Sequence, residues 1–141
     1  MKTLKNLTAA LLMAVSFSAF AAGGSQSANP DMSHALKAYV DAVSLGKMNG
    51  LQEVLDQDIR FTTTRNKKII THSKAEILKT LKANENVKQN CSTEYTIIES
   101  TSSLGLVKLT MKYEGFSKVE YLSLANTGQG WKITGVSTSF I

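Results

Sequence analysis

Residues 92–140 have the sequence STEYTIIES-TSS-LGLVKLTMKY-EGFS-KVEYLSLA-NTGQG-WKITGVSTSF. Apolar side chains alternate with polar ones in four segments of this stretch, and that alternation predicts half-buried β-strands. The strands are predicted to span Ser92–Ser100, Leu104–Tyr113, Lys118–Ala125 and Trp131–Phe140. Because the intervening links are short and rich in Gly, Ser and Asn, consecutive strands should pair as antiparallel neighbours.

The residues before this stretch are predicted to form three helices and one hairpin. Apolar residues three and four positions apart predict a first helix, and Gly46 suits the left-handed conformation that ends one. Ser73 and Glu76 form the capping-box pattern of a helix start. The predicted elements are a helix beginning at Asp31, a short helix that Asn49 caps, strands Ile59–Thr63 and Ile69–Thr71, and a third helix from Ser73 to near Asn84.

This order of elements predicts an α+β domain: a curved, mainly antiparallel sheet wrapped around three helices. Amphipathic helices can bury their apolar faces only against one side of such a sheet. Long strands twist, so a sheet covered on one side tends to become a cup or cone. A cup that helices fill only in part is expected to leave a cavity at its mouth.

Several stretches carry a resemblance to a known superfamily. Residues 38–50, AYVDAVSLGKMNG, run into 51–61, LQEVLDQDIRF, which ends in an Asp-x-x-Phe entry to a strand. This arrangement resembles the nuclear transport factor 2-like superfamily, whose opening helix, turn and short helix follow the same order. Residues 107–116, VKLTMKYEGF, and 130–136, GWKITGV, resemble its small secreted "putative lumazine-binding" branch. The resemblance implies a cone-shaped fold but leaves function open, because this scaffold hosts many activities.

The N-terminus is predicted to be a cleaved signal peptide. Lys2 and Lys5 precede an apolar run, and Ala19-Phe20-Ala21 places small residues where a signal peptidase cleaves. The run is shorter than the roughly 20 residues that span a bilayer, and no cysteine near it offers a lipid site, so no permanent membrane anchor is predicted. The sequence therefore predicts a periplasmic or secreted protein. It divides into a signal peptide over 1–21, a flexible leader over 22–30 and a nuclear transport factor 2-like domain over 31–141.

Composition argues against several partners and cofactors. Loss of the signal peptide would lower the formal net charge from +5 to +3, which is too mild to indicate a nucleic-acid partner. Cys91 is the only cysteine, so the chain can form neither an internal disulfide nor a cysteine-based metal site. His34 and His72 have no further ligand residue at metal-binding spacing, so no metal is predicted. The chain lacks a phosphate-binding glycine loop, and no cofactor is predicted.

Glu120 is a candidate pocket residue with two interpretations. It shares a strand face with Leu122, another pocket candidate, and with Leu124. If that face is concave, a desolvated Glu120 carboxyl could hydrogen-bond a ligand oxygen. Alternatively, Glu120 lies near a strand end, solvated and paired with Lys118 or Lys112.

Tyr39, Thr63 and Trp131 are the other pocket candidates. Ketosteroid isomerase, a member of the resembled superfamily, has a pocket tyrosine in a context similar to that of Tyr39, although such a tyrosine can equally be a core residue. The position of that enzyme's catalytic base corresponds to about Thr63, and threonine cannot accept a proton at neutral pH. Trp131 follows a glycine-rich turn and either plugs the edge of the core or offers a stacking surface.

Three hypotheses for function follow. The first is an exported, non-catalytic domain whose cup binds a small, partly apolar molecule, and the missing base at Thr63 favours it. The second is an isomerase, dehydratase or cyclase that uses Tyr39 and Glu120. The third is a structural or interaction module, because the resemblance implies a homodimer formed through the outer face of the sheet.

Overall fold

The computed structural model of the protein describes residues 30–141. The predicted signal peptide and residues 22–29 of the predicted leader lie outside the described residues. No helix between residues 30 and 141 combines the length and apolar character needed to cross a bilayer. The described elements are α1 Pro30–Leu45, α2 Leu51–Val54, β1 Leu55–Arg65, β2 Lys68–His72, α3 Lys74–Ala83, β3 Ser92–Ser100, β4 Leu104–Lys112, β5 Ser117–Thr127 and β6 Gly130–Phe140.

The strands form one curved, open sheet in the order β2-β1-β6-β5-β4-β3. The strands of the β3–β6 meander pair antiparallel as consecutive neighbours, and the β1–β2 hairpin is also antiparallel. The hairpin joins the meander through a parallel pairing of β1 with β6. The predicted α+β fold class, with its mainly antiparallel sheet, is therefore confirmed.

The core lies between α1 and the concave face of the sheet. Met32, Leu36 and Tyr39 of α1 are buried, three to four residues apart, so they form one helix face. On β4 and over most of β5 and β6, buried residues of the concave face alternate with exposed or half-buried residues, because successive strand side chains point to opposite faces. On the last three strands the buried concave residues are Val107, Leu109, Met111, Glu120, Leu122, Leu124, Trp131, Ile133 and Val136.

Two of the predicted helix ends are confirmed. Gly46 follows α1 with φ +67°, and its carbonyl accepts a hydrogen bond from the Asn86 N–H at 2.9 Å. Ser73 and Glu76 form the complete capping box at the start of α3. The bond from the Ser73 backbone, and then that from its side chain, lower the pKa of Glu76. Both ends are local sequence signals, and for this reason they could be predicted without tertiary information.

The predicted Asn49 cap of the short helix is wrong. Gly50 occupies the cap position in the left-handed conformation, φ +78°, and no side chain caps α2. The helix ends after one turn because Leu55 is extended and pairs with Ile133 of β6. As a result β1 begins at Leu55, four residues before the predicted start at Ile59.

Candidate functional site

The pairing of three strands brings polar side chains into one row on the concave face. Thr63 of β1 lies beside Thr138 of β6, and Thr138 lies opposite Glu120 of β5. Tyr39 of α1 approaches this row from the helix layer and contacts Glu120. Four residues from four different elements therefore meet at the end of the sheet where β6 ends.

Glu120 is buried and has hydrogen-bond partners on both carboxylate oxygens. Its side chain is only 3% exposed. The Tyr39 hydroxyl donates to Oε2 at 2.8 Å, and Lys118 Nζ lies 2.7 Å from Oε1. The Thr138 hydroxyl lies 3.4 Å from Oε1. The structure thus combines parts of both interpretations of Glu120, because the carboxylate is desolvated and is also paired with Lys118.

Tyr39 serves as a fixed hydrogen-bond donor in this cluster. Burial raises the pKa of its hydroxyl well above the ordinary value of 10.0, and the charge and hydrogen bond of Glu120 raise it further. A tyrosinate beside a buried carboxylate would place two negative charges together in a medium of low dielectric constant. Tyr39 is therefore protonated at neutral pH and holds the orientation of Glu120.

A cavity of about 190 Å³ lies over this cluster, and we call it the apical cavity. Its apolar walls come from α1, α3, β1 and β6. Its polar lining comes mainly from the row just described. The apolar lining residues are Val43, Phe61, Ile77, Leu81 and Phe140. The polar lining residues are Tyr39, Thr63, His72, Lys118, Glu120 and Thr138.

Three aromatic side chains, Tyr113, Phe116 and Phe140, adjoin the mouth of the apical cavity, and we call them the aromatic ledge. The Tyr113 and Phe116 rings stack with centroids 4.7 Å apart, and the Phe116 and Phe140 centroids are 6.3 Å apart. Phe116 and Phe140 are 48% and 52% exposed. Large apolar side chains at the rim of a cavity are typical of binding sites.

The structure places the five candidate residues in three regions: the apical cavity, the core and a separate hollow. Tyr39, Thr63 and Glu120 line the apical cavity together. Leu122 is fully buried in the core. Trp131 is also buried but lies at the other end of β6, where it lines a separate hollow of about 250 Å³. Its indole N–H has no hydrogen-bond partner among the described residues.

Other residues of the apical cavity did not emerge from the sequence pattern. The sequence predicts Lys118 only as a solvated partner of Glu120, although its position two residues before Glu120 places both on one face. Thr138 lies opposite Glu120 through the β5–β6 pairing, but its contact with Thr63 requires the parallel β1–β6 pairing, which short-range alternation does not reveal. His72 and Ile77 reach the cavity from β2 and α3, elements whose packing the sequence did not define.

No group of three or more His, Cys, Asp and Glu side chains positioned to hold a metal ion occurs within residues 30–141. His72 lines the apical cavity, and its Nδ1 lies 3.9 Å from a carboxylate oxygen of Glu76, whereas His34 lines the hollow near Trp131. The two histidines therefore belong to opposite ends of the domain.

A sequence profile of the family described as "Putative lumazine-binding" matches residues 27–140. A search of curated proteins found no match. Solved structures with a similar fold include proteins from several bacteria.

A nuclear transport factor 2-like protein of unknown function from Silicibacter pomeroyi is 9% identical with a TM-score of 0.66, covering 79% of this chain and 93% of that chain. A second such protein, from Methylobacillus flagellatus, is 14% identical with a TM-score of 0.64, covering 79% and 90%. A ketosteroid isomerase-like protein from Erwinia carotovora atroseptica is 15% identical with a TM-score of 0.60, covering 77% and 92%. At these identities the similarity shows the nuclear transport factor 2-like fold alone.

Proposed function

The chain belongs to the family described as "Putative lumazine-binding", and from that premise we propose that it is an exported, non-catalytic domain whose apical cavity binds a small, partly apolar molecule. The observation that supports this proposal most strongly is the polar floor of the cavity. There the buried Glu120 carboxylate is held by Tyr39 and Lys118 inside walls that are otherwise mainly apolar.

Burial of the Glu120–Lys118 ion pair costs desolvation free energy, and well-packed apolar side chains in its place would often stabilise a protein equally well or better. Stability alone is therefore a weak reason for this pair, which supports a role in binding. A cavity with apolar walls and a few fixed polar groups is the usual composition of a small-molecule site. The volume of about 190 Å³ lies below the range of roughly 300–1,000 Å³ that is typical of drug-sized ligands. The proposed ligand is therefore small, or one end of it protrudes past Phe140.

Binding without catalysis is favoured over an isomerase-type activity. Thr63 occupies the position at which the ketosteroid isomerase resemblance would place the base, and a threonine hydroxyl does not accept a proton at neutral pH. Glu120 already accepts from Tyr39 and pairs with Lys118, so its oxygens are committed within the protein. An enzyme that used Tyr39 and Glu120 would have to break these contacts in each turnover.

We also propose that two copies associate through the outer face of the sheet. The buried residues of α1 and α2 share one core with the concave residues of β4, β5 and β6, which leaves the outer face of these strands available. A cross-strand row on that face includes Ser137, Tyr121 and Lys108, and Tyr121 is 41% exposed. A half-exposed tyrosine at the centre of the outer sheet face suits a protein interface, because aromatic side chains are enriched there.

Native mass spectrometry of the protein purified from its own host tests these proposals together. We expect the mass of a chain that starts at Ala22, which would show that the signal peptide is removed. We also expect a dimer, with a reproducible extra mass of a small organic molecule on each protomer. A folded protein with no extra mass under gentle ionisation would contradict the binding proposal. An unprocessed N-terminus or a monomer would contradict export or dimerisation separately.

A further inference from the structure

We infer that the apical cavity takes a small carboxylate with an apolar, ring-bearing body, and that Lys118 is the residue that selects the carboxylate. The inference rests on the proposed function and deepens it by naming the ligand class. It depends on two observations: Lys118 is more exposed to solvent than Glu120, and the aromatic ledge lies at the mouth of the cavity.

Lys118 is the first charged group of the polar floor that an incoming molecule meets. Its side chain is 25% exposed, whereas that of Glu120 beneath it is 3% exposed. The ammonium has three N–H donors and directs one toward Glu120 Oε1, so further donors are available for a ligand. Charge-assisted bonds from an ammonium to a carboxylate are among the stronger hydrogen bonds in proteins.

A cationic ligand fits the same floor poorly. Glu120 is the only carboxylate among the described residues that line the cavity, and both of its oxygens are occupied. A cation would meet the like-charged Lys118 ammonium before it reached Glu120, because Lys118 is 25% exposed and Glu120 only 3%. An anion, by contrast, adds to the outer side of the ammonium without breaking the Tyr39–Glu120 bond.

Further donors stand close to the expected position of the carboxylate. Thr63 has a hydroxyl group on the same cavity wall, and the His72 imidazole lies at its β2 side. These groups can serve the second carboxylate oxygen. The titratable groups that face Lys118 across the cavity are Tyr39, His72 and Glu120.

The aromatic ledge provides a surface for the body of the ligand. Phe140 lines the cavity and also lies next to Phe116, and both rings are about half exposed. Burial of exposed aromatic surface by an apolar ring is favourable, and ring pairs in tilted or offset contact add to it. A ring held there extends from the floor at Lys118 to the ledge.

The test uses benzoate and its neutral isostere benzamide as probes in amide chemical-shift titrations of the full mature chain. We expect both to perturb cavity residues, with benzoate binding about tenfold more tightly or better. Lys118→Met keeps the apolar stem and should weaken benzoate about tenfold while changing benzamide affinity by less than about twofold. Lys112→Met is the matched control, because Lys112 pairs with the exposed Glu94 and does not line the cavity, and it should change neither affinity.

Equal or tighter binding of benzamide would overturn the carboxylate inference while leaving the proposed binding function in place. A benzoate preference that survives in Lys118→Met would reject the role of Lys118, and shifts confined to other surfaces would reject the site. If Lys118→Met does not fold because Glu120 is left unpaired, the double variant Lys118→Met, Glu120→Gln removes both charges and must also lose the preference. Absence of cavity shifts with either probe would overturn the inference, and the native mass measurement would then decide the proposed function independently.

Discussion

Replacement of Gly46 by alanine is expected to lower the free energy of unfolding by about 3 kcal/mol or more. Gly46 has φ +67°, a conformation that strains a residue with a Cβ atom. A Cβ built there would also lie 2.7 Å from Asn84 O, Asn86 N and Val87 N. All three are backbone atoms, so the loop after α3 would have to move away from the end of α1. Urea denaturation of both proteins gives the difference directly.

Gly50→Ala is the matched control for this prediction. Gly50 also has a positive φ, +78°, but a Cβ there meets nothing closer than the Ala38 Cβ at 4.0 Å. Gly50→Ala should therefore lower the free energy of unfolding only by the conformational cost of the positive φ, about 1 kcal/mol. If both variants lose the same free energy of unfolding, the close packing of Gly46 against the 84–87 loop does not contribute to stability. That result would contradict the described packing.

Tyr39→Phe is expected to destabilise the domain by about 2 kcal/mol near neutral pH. The substitution keeps the ring but removes the hydroxyl, so Glu120 Oε2 loses its 2.8 Å hydrogen bond in a buried site. A buried acceptor left without a donor bears the full cost of its desolvation. Tyr121→Phe is the control, because Tyr121 is 41% exposed and should change stability by less than about 0.5 kcal/mol.

The same variant predicts a pH dependence with a definite sign. The folded-state pKa of Tyr39 is raised above its ordinary value of 10.0, so folding retains the phenolic proton. This contribution is complete below pH 10 and is lost as the pH rises from there through the folded-state pKa. The stability gap between wild type and Tyr39→Phe should therefore narrow above pH 10. A gap that widens there would contradict the assignment of Tyr39 as a protonated donor to Glu120.

The sequence predicted the fold well because most of its signals are local. Alternation of apolar and polar side chains defined the meander strands and assigned Glu120 to the same face as Leu122, and the capping box predicted the start of α3. The start of the short helix α2 was harder to predict, because Gly50 occupies the cap position through its left-handed backbone conformation and no side chain caps the helix. The early start of β1 depends on the pairing of Leu55 with Ile133, which is a tertiary contact.

The candidate site was predictable only in part, for a related reason. Tyr39, Thr63 and Glu120 could each be singled out on their own elements, but their meeting requires the parallel β1–β6 pairing and the position of α1 over the sheet. No sequence pattern indicated that pairing. Trp131 was prominent in the sequence as a lone tryptophan after a glycine-rich turn, yet the structure places it at the opposite end of β6 from the apical cavity.

A pair of tryptophan variants on α3 tests the central proposal, which is that the apical cavity is the binding site. Ile77 and Leu78 are adjacent, and both are half-buried. Ile77 lines the apical cavity, whereas Leu78 lines grooves near α2 instead. Ile77→Trp should fill much of the cavity, whereas Leu78→Trp places a side chain of the same size outside it.

The decisive measurement is the bound mass that each variant retains in native mass spectrometry after purification from the same host. We expect Leu78→Trp to retain the small molecule as the wild type does, and Ile77→Trp to be recovered folded and without it. Retention of the molecule by Ile77→Trp at the wild-type level would contradict the proposal that the apical cavity is the binding site.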